Sequence, residues 1–236
     1  MKHPMHKTIA ALLLAGVALS LPARAETLTY SWRLKGGITW AAKLAFPASG
    51  KGTLQTDQSG NVHSQLTIIG KDEPGAFYLY ESLMAPDGAK TLSSRNAYAY
   101  RNDHRDERIN FDTAKGLTQV HRVDNDTNET RVKKLSSPEP KDVLTSIYYL
   151  RQHADELRMP KRAEIYSGSK GYGVLYVPQP ATTVNNVAVR PFRIQPVGGG
   201  DKTGEVRVWL TDDAQHVPVR IEIDQKYATL KLDLVK

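Results

Sequence analysis

The chain has 236 residues, no cysteine and a formal net charge of +7 at pH 7. The lack of cysteine excludes disulfides, and it also excludes the lipid-anchored type of bacterial signal, which needs a cysteine at its cleavage point. Without Lys2, Lys7 and Arg24, the only charged residues among the first 25, the net charge falls from +7 to +4. A charge this small, spread over segments of mixed sign, indicates solubility and not nucleic-acid binding.

The first 25 residues predict a cleavable secretory signal peptide. A basic start precedes the apolar run Ile9–Leu21, and Ala23–Ala25 has the small-x-small pattern that a signal peptidase accepts. The apolar run is too short to span a bilayer as a helix of the mature protein. We therefore expect an exported periplasmic protein, with one β-rich domain over residues 26–236 and no transmembrane segment.

Short strand patterns run through most of the remaining chain. Apolar and polar residues alternate in these segments, and turn residues separate them at intervals of roughly ten residues. In the first segment, "LTYSWRL", the side chains of Leu28, Tyr30 and Trp32 share one face. Ser59–Asn61 predicts the tip of a hairpin because its central glycine suits a tight turn. The later segments are "ITWAAKLAF", "GAFYLYESLM", "KTLSSRNAYAY", "ERINFD", "LTQVHRV", "RVKKL", "AEIYSG", "GYGVLYV", "VAVRPFRIQPV", "GEVRVWL", "VPVRIEI" and "ATLKLDLV". Together they predict an all-β domain of about eleven strands.

One segment, "KDVLTSIYYLRQHADEL" (residues 141–157), predicts a helix instead. Asp142 is placed to cap its start, and Pro160 stands just beyond its end. At 100° per residue, five apolar side chains fall within one narrow stripe. They are Val143, Ile147, Leu150, Ala154 and Leu157. The segment therefore predicts an amphipathic helix that packs against the strands.

Arg151 lies on the apolar side of this helix, beside Leu144 and Tyr148. A buried arginine without a partner would be very costly, so it must snorkel to water or meet an acid. Two interpretations stay open. In the first, Arg151 forms a core ion pair with a strand carboxylate such as Asp212 or Asp213. In the second, it stands at the mouth of a cavity and binds an anionic head group.

Three other patterns are similar to functional motifs but miss a requirement of each. Asp124–Glu129 begins like a calcium loop, yet its sixth position is not glycine, so a polar hairpin tip is expected. Ser167–Lys170 and Lys202–Gly204 match two penicillin-recognising signatures, but the glycines that follow the first prevent the helix it needs. Arg101–Arg108 has acids and one histidine without a second at ligand spacing, and its alternating charges beside a strand predict a solvated loop or edge. We therefore expect no metal and no cofactor, while a pair of catalytic carboxylates from distant strands stays open.

The helix segment and a later pair of strand segments also resemble a known protein family. "KDVLTSIYYLRQ" resembles the central signature of a bacterial exported family known as domain of unknown function 3108, roughly Asp-x-Leu-Ser-x-x-Tyr-x-x-Arg. The matching positions are Asp142, Leu144, Thr145, Tyr148 and Arg151, and Thr145 stands where serine is usual. "VWLTDDAQHVPVRIEI" resembles the family's later pattern through Trp209, Thr211, Asp213, Pro218 and Arg220. The resemblance implies a strongly curved antiparallel sheet or incomplete β-barrel with one central amphipathic helix, as in lipoprotein-carrier folds.

These observations favour a non-enzymatic periplasmic protein that binds an apolar or lipid-linked component of the cell envelope. The alternative is a scaffold or accessory protein, with envelope proteins as partners, for envelope assembly or polysaccharide export. A large apolar cavity would favour the first interpretation, and a filled core with an exposed aromatic patch the second. The candidate ligand-binding residues are Arg151, Tyr148, Leu144, Trp32 and Trp40, and Asp142, Asp213 and Arg220 are predicted to form a structural polar cluster.

Overall fold

The structure is a computed structural model that describes residues 24–36, 47–73, 75–168, 170–198, 204–224 and 228–235. Within these residues, fifteen strands form one antiparallel sheet, and one helix lies between the eighth and ninth strands. The strands are β1 (Arg24–Lys35), β2 (Ser49–Ser59), β3 (Asn61–Gly70), β4 (Phe77–Met84), β5 (Thr91–Tyr100), β6 (Asp103–Asp112), β7 (Leu117–Asp124), β8 (Thr127–Lys134), β9 (Lys161–Ser167), β10 (Lys170–Pro178), β11 (Thr182–Val184), β12 (Val187–Pro196), β13 (Val206–Thr211), β14 (Pro218–Asp224) and β15 (Thr229–Leu234). The helix, α1, spans Val143–His153. The estimate of about eleven strands is therefore too low, although only the short β11 lies outside every predicted strand segment.

The strands follow one another in the sheet almost as they do in the chain. The order is β8-β7-β6-β5-β4-β3-β2-β1-β15-β14-β13-β12-β10-β9, with β11 paired to β12. The first and last strands meet in the middle, where Tyr30 of β1 pairs with Leu234 of β15. β8 and β9 are the two ends, so the sheet is not closed. This confirms the predicted open antiparallel sheet with one helix.

The sheet curls until its two ends lie close together. Tyr166 of β9 packs in one cluster with Ile109, Phe111 and Val120 of β6 and β7. A single parallel bridge joins Lys141, just before α1, to β9. Backbone pairing therefore leaves a gap between the two ends of the sheet, and apolar contacts close part of this gap. The result is an incomplete barrel.

The helix α1 is enclosed by the curled sheet. Residues 144–150 are all buried, including the polar Thr145 and Ser146. Thr145 shares a hydroxyl hydrogen bond of 2.7 Å with Thr91, and Ser146 accepts one of 3.0 Å from Tyr176. The apolar stripe read from the sequence accounts for only part of this burial, because hydrogen-bonded hydroxyls pack on the remaining sides.

The ends of the helix agree in part with the prediction. Asp142 is the N-cap, and its carboxylate accepts a 2.8 Å hydrogen bond from the backbone N–H of Thr145. The helix ends at His153 and not at residue 157, because the chain continues as a turn in which Leu157 still donates to the His153 carbonyl. Ala154 and Leu157 remain buried in that turn, so the predicted stripe is correct beyond the last helical residue.

Candidate functional site

An apolar cavity of about 220 Å³ lies between α1 and the inner face of the sheet. It is partly open to solvent, and strands from both halves of the chain contribute to its wall. Six of the apolar lining residues are Leu66, Val143, Leu144, Ile147, Val174 and Val206. An apolar cavity of ~150 Å³ already holds benzene, so this one has room for a hydrocarbon ring or a short alkyl segment.

Polar groups interrupt the apolar wall at a few points. Ser167, Tyr172 and Asp224 contribute to the lining, and so does Tyr80. Burial raises the pKa of the Tyr80 hydroxyl to about 12. Within the described part of the chain this hydroxyl makes no hydrogen bond, so it is available to a ligand.

A groove of about 410 Å³ adjoins the cavity and shares Tyr80 and Ser167 with it. Three tyrosines stack along the groove with nearly parallel rings. The ring centroids of Tyr78 and Tyr80 are 6.3 Å apart, and those of Tyr78 and Tyr98 are 5.1 Å apart. Such offset stacks are favourable beyond the area they bury, which helps to hold the three side chains in place.

A second, polar pocket of about 270 Å³ lies at the C-terminal end of α1 and includes Arg151 and Tyr148. The Arg151 guanidinium donates to both oxygens of Glu26 on β1, at 2.6 and 3.1 Å, and to the carbonyl of His216 at 3.1 Å. The Arg151 side chain is only 9% exposed. The structure therefore contains a core ion pair between Arg151 and a strand carboxylate.

The expectation that Asp212 or Asp213 pairs with Arg151 is wrong. Asp212 is bound by Arg190 on β12, and Asp213 accepts hydrogen bonds within its own turn, including one of 2.8 Å from Thr211. Neither acid is left to meet the helix. Glu26 takes that place because the start of β1 lies beside the last turn of α1.

The five candidate ligand-binding residues do not form one site. Leu144 lines the apolar cavity, whereas Tyr148 and Arg151 line the polar pocket. Trp32 is buried in the main core, and its indole Nε1 donates a 3.0 Å hydrogen bond to the Ile69 carbonyl. Trp40 lies outside the described residues.

The predicted polar cluster is also wrong, because its three members lie in separate places. Asp142 caps α1 and accepts a 2.5 Å hydrogen bond from Ser82. Asp213 belongs to the turn between β13 and β14. Arg220 of β14 donates to Asp233 on β15 at 2.6 Å. Each of the three residues therefore bonds to partners within or beside its own element.

Sequence reasoning missed Asn96 and Glu107, which line the groove beside Tyr80. The segment around Glu107 was interpreted as a solvated loop or edge because charges of both signs alternate there. One signal was available, since Glu107 stands two residues before Ile109 and so shares its face of the strand. Ile109 is buried, and Glu107 therefore faces the concave side of the sheet.

The described residues thus define a curled, open antiparallel sheet that encloses a helix and an apolar cavity with a polar groove beside it. The chain belongs to the family described as "Protein of unknown function (DUF3108)", whose family model matches residues 35–235. This confirms the resemblance seen in the sequence. No functionally curated protein matches the chain.

Solved structures that are similar to this one include two proteins. A beta-barrel-like protein of domain of unknown function DUF1849 from Brucella abortus has a TM-score of 0.61 and 11% sequence identity, covering 89% of this chain and 95% of its own. At that identity the likeness shows the fold alone. The Mycobacterium tuberculosis lipoprotein LppX has a TM-score of 0.29 and 10% identity, covering 89% of this chain and 85% of its own, and a score this low supports no inference. The helix α1 in the described residues is too short and not apolar enough to cross a membrane.

Proposed function

We propose that this protein is an exported, non-enzymatic binding protein that holds the apolar part of an amphipathic or lipid-linked envelope component between α1 and the sheet. The observation that carries the proposal is the apolar cavity of about 220 Å³. Protein cores are close-packed, whereas this space leaves apolar wall residues exposed to water. Covering that surface with an apolar ligand is favourable by about 25 cal/mol per Å² of apolar area removed from water.

The size of the cavity limits what it contributes to binding. At roughly 0.8 kcal/mol per buried methylene, about five methylenes would contribute roughly 4 kcal/mol. That free energy alone corresponds to a dissociation constant of about 1 mM. Tighter binding therefore needs contacts between the rest of the ligand and the polar groups near the opening.

Other features support parts of this proposal. The signal-peptide pattern of the first 25 residues supports export to the periplasm. The absence of a recognisable catalytic motif in the sequence supports binding without catalysis. Arg151 takes no part in the proposed site, because Glu26 and the His216 carbonyl already occupy its donors.

The direct test is to fill the cavity. Val143 lines it from the first turn of α1 and is only partly buried, so Val143→Trp directs the added volume into the open space. Val132 on β8 is 61% exposed and provides the matched control, Val132→Trp. Binding is measured by the fluorescence change of NBD-labelled dodecanol titrated with each variant, and folding by circular dichroism.

We expect the wild type and Val132→Trp to bind the labelled alcohol, and Val143→Trp to lose at least tenfold in affinity while remaining folded. Equal binding by both variants would show that the alcohol binds elsewhere and would contradict the proposal. No binding by the wild type would favour the alternative, a scaffold protein for envelope assembly.

A further inference from the structure

Three polar side chains line up across neighbouring strands at the edge of the apolar cavity. Tyr80 of β4 pairs in register with Asn96 of β5, and Asn96 pairs with Glu107 of β6. All three line the groove, and Tyr80 also lines the cavity. The row faces inward, because Ser82 and Ile109, two positions further along their strands, are almost fully buried.

Among the described residues, none of these three side chains has a direct hydrogen bond or ion pair. Arg122 pairs in register with Glu107 across β6 and β7, but its guanidinium is bonded to Asp124. None of their polar atoms is fully buried, so a hydroxyl, an amide and a carboxylate are open to a ligand here.

The charges of the groove select the ligand's chemistry. Asp103 and Glu107 contribute two carboxylates, while the one cation in its lining, Arg105, is paired with Asp124 at 3.3 Å. An anionic head group is therefore disfavoured. A quaternary ammonium head group favours aromatic rings that face a common centre. Tyr78 and Tyr98 instead stack on each other with only 20° between their planes, so this head group is disfavoured as well.

A hydroxyl-rich ring fits what remains. Neighbouring hydroxyls of a sugar donate to a carboxylate such as Glu107 and exchange hydrogen bonds with an amide such as Asn96. The C–H groups of the same ring pack against tyrosine side chains, which combine an apolar body with a polar tip. Because the groove and the cavity share Tyr80 and Ser167, one ligand can occupy both.

We propose that the groove binds the sugar head group of a glycolipid whose alkyl part occupies the cavity. This inference rests on the proposed function and extends it by naming the class of ligand. Glu107 accepts hydrogen bonds from two sugar hydroxyls, Asn96 and the Tyr80 hydroxyl bind others, and the stacked tyrosines support the ring.

The test compares ligands that share one alkyl chain and differ in the head group. Octyl glucoside, octyltrimethylammonium and octyl sulfate, each below its micellar concentration, compete with NBD-labelled dodecanol for the wild-type protein. Glu107→Gln is the test variant, and Glu129→Gln is the control because Glu129 lies on the exposed β8 and pairs with Arg131. Thermal unfolding of each variant reports on the fold.

We expect octyl glucoside to compete at least tenfold better than the other two. Glu107→Gln should weaken the glucoside about tenfold, leave the labelled alcohol unaffected and keep the melting temperature, because Glu107 forms no ion pair with any residue that the structure describes. Glu129→Gln should change neither affinity.

Two results would overturn the inference while leaving the proposed function in place. One is binding of the alcohol with no preference for the glucoside and no effect of Glu107→Gln. The other is a preference for octyltrimethylammonium that Glu107→Gln removes, which would assign a cationic head group. Failure of the wild type to bind the alcohol or any octyl compound would contradict the proposed function itself.

Discussion

Replacing Arg151 with methionine should destabilise the protein without affecting its ligand. The change keeps most of the side-chain volume but leaves the carboxylate of Glu26, which is only 20% exposed, without its cation. It also leaves the carbonyl of His216 without the 3.1 Å hydrogen bond from Arg151. Breaking a buried ion pair from one side costs about 3–5 kcal/mol, and the remaining exposure of Glu26 places this case near the lower end. At 2–4 °C per kcal/mol, the melting temperature should fall by roughly 6–12 °C.

Urea unfolding followed by circular dichroism measures this loss. Arg131→Met is the matched control, because Arg131 and Glu129 form an ion pair on β8 in which the side chains are 56% and 48% exposed. That pair should contribute less than about 1 kcal/mol. The double variant Arg151→Met with Glu26→Gln should lose less than the two single variants together, because the two side chains interact directly. A loss below about 1 kcal/mol in Arg151→Met, combined with lost ligand binding, would refute this reasoning and restore an anion-binding role for Arg151.

Two further substitutions test the packing around α1. Burial raises the pKa of Asp142 and outweighs the hydrogen bonds from Ser82 and the helix backbone that lower it. The stability that the protonated carboxyl contributes is therefore complete below the ordinary pKa of about 4 and is lost as the pH rises through the raised value. Urea titrations at a series of pH values measure the free energy of unfolding, and Asp142→Asn should make it fall less steeply as the pH rises. An unchanged pH dependence in this variant would contradict the role assigned to Asp142. Gly88 and Gly116 both have positive φ, at 68° and 65°. A Cβ added at Gly88 would lie 2.9 Å from Cδ1 of Tyr148, whereas a Cβ added at Gly116 would have no atom within 4 Å. The positive φ makes alanine at either position cost about 1–2 kcal/mol of stability, and the clash with Tyr148 should make Gly88→Ala cost at least ~1 kcal/mol more. Equal melting temperatures of the two variants would contradict the contact between the turn at Gly88 and the helix.

Local patterns in the sequence were sufficient for most of the fold. Alternation in "LTYSWRL" placed Tyr30 and Trp32 on one face, and both are buried in the core. The glycine of Ser59–Asn61 marked the β2–β3 hairpin, and the position of Asp142 before an apolar stripe marked the start of α1. These features depend on residues close together in the chain, so that propensity and periodicity report them directly.

The sites depend on contacts that no local pattern contains. Glu26 and Arg151 are 125 residues apart, and their pairing follows from where β1 lies relative to the helix. The sequence indicated that Arg151 needed an acid but could not say which one. Glu107 shows the same limit, because its charge suggested a solvated edge until the sheet's curvature turned that face inward.

The most direct test of the account is native mass spectrometry of the protein, purified without detergent from the cells that naturally produce it, followed by organic extraction. The account predicts a discrete added mass that extracts as a lipid carrying a sugar, and that is absent from Val143→Trp but retained in Val132→Trp. A single mass matching the protein alone, together with no uptake of NBD-labelled dodecanol, would contradict a ligand in the cavity.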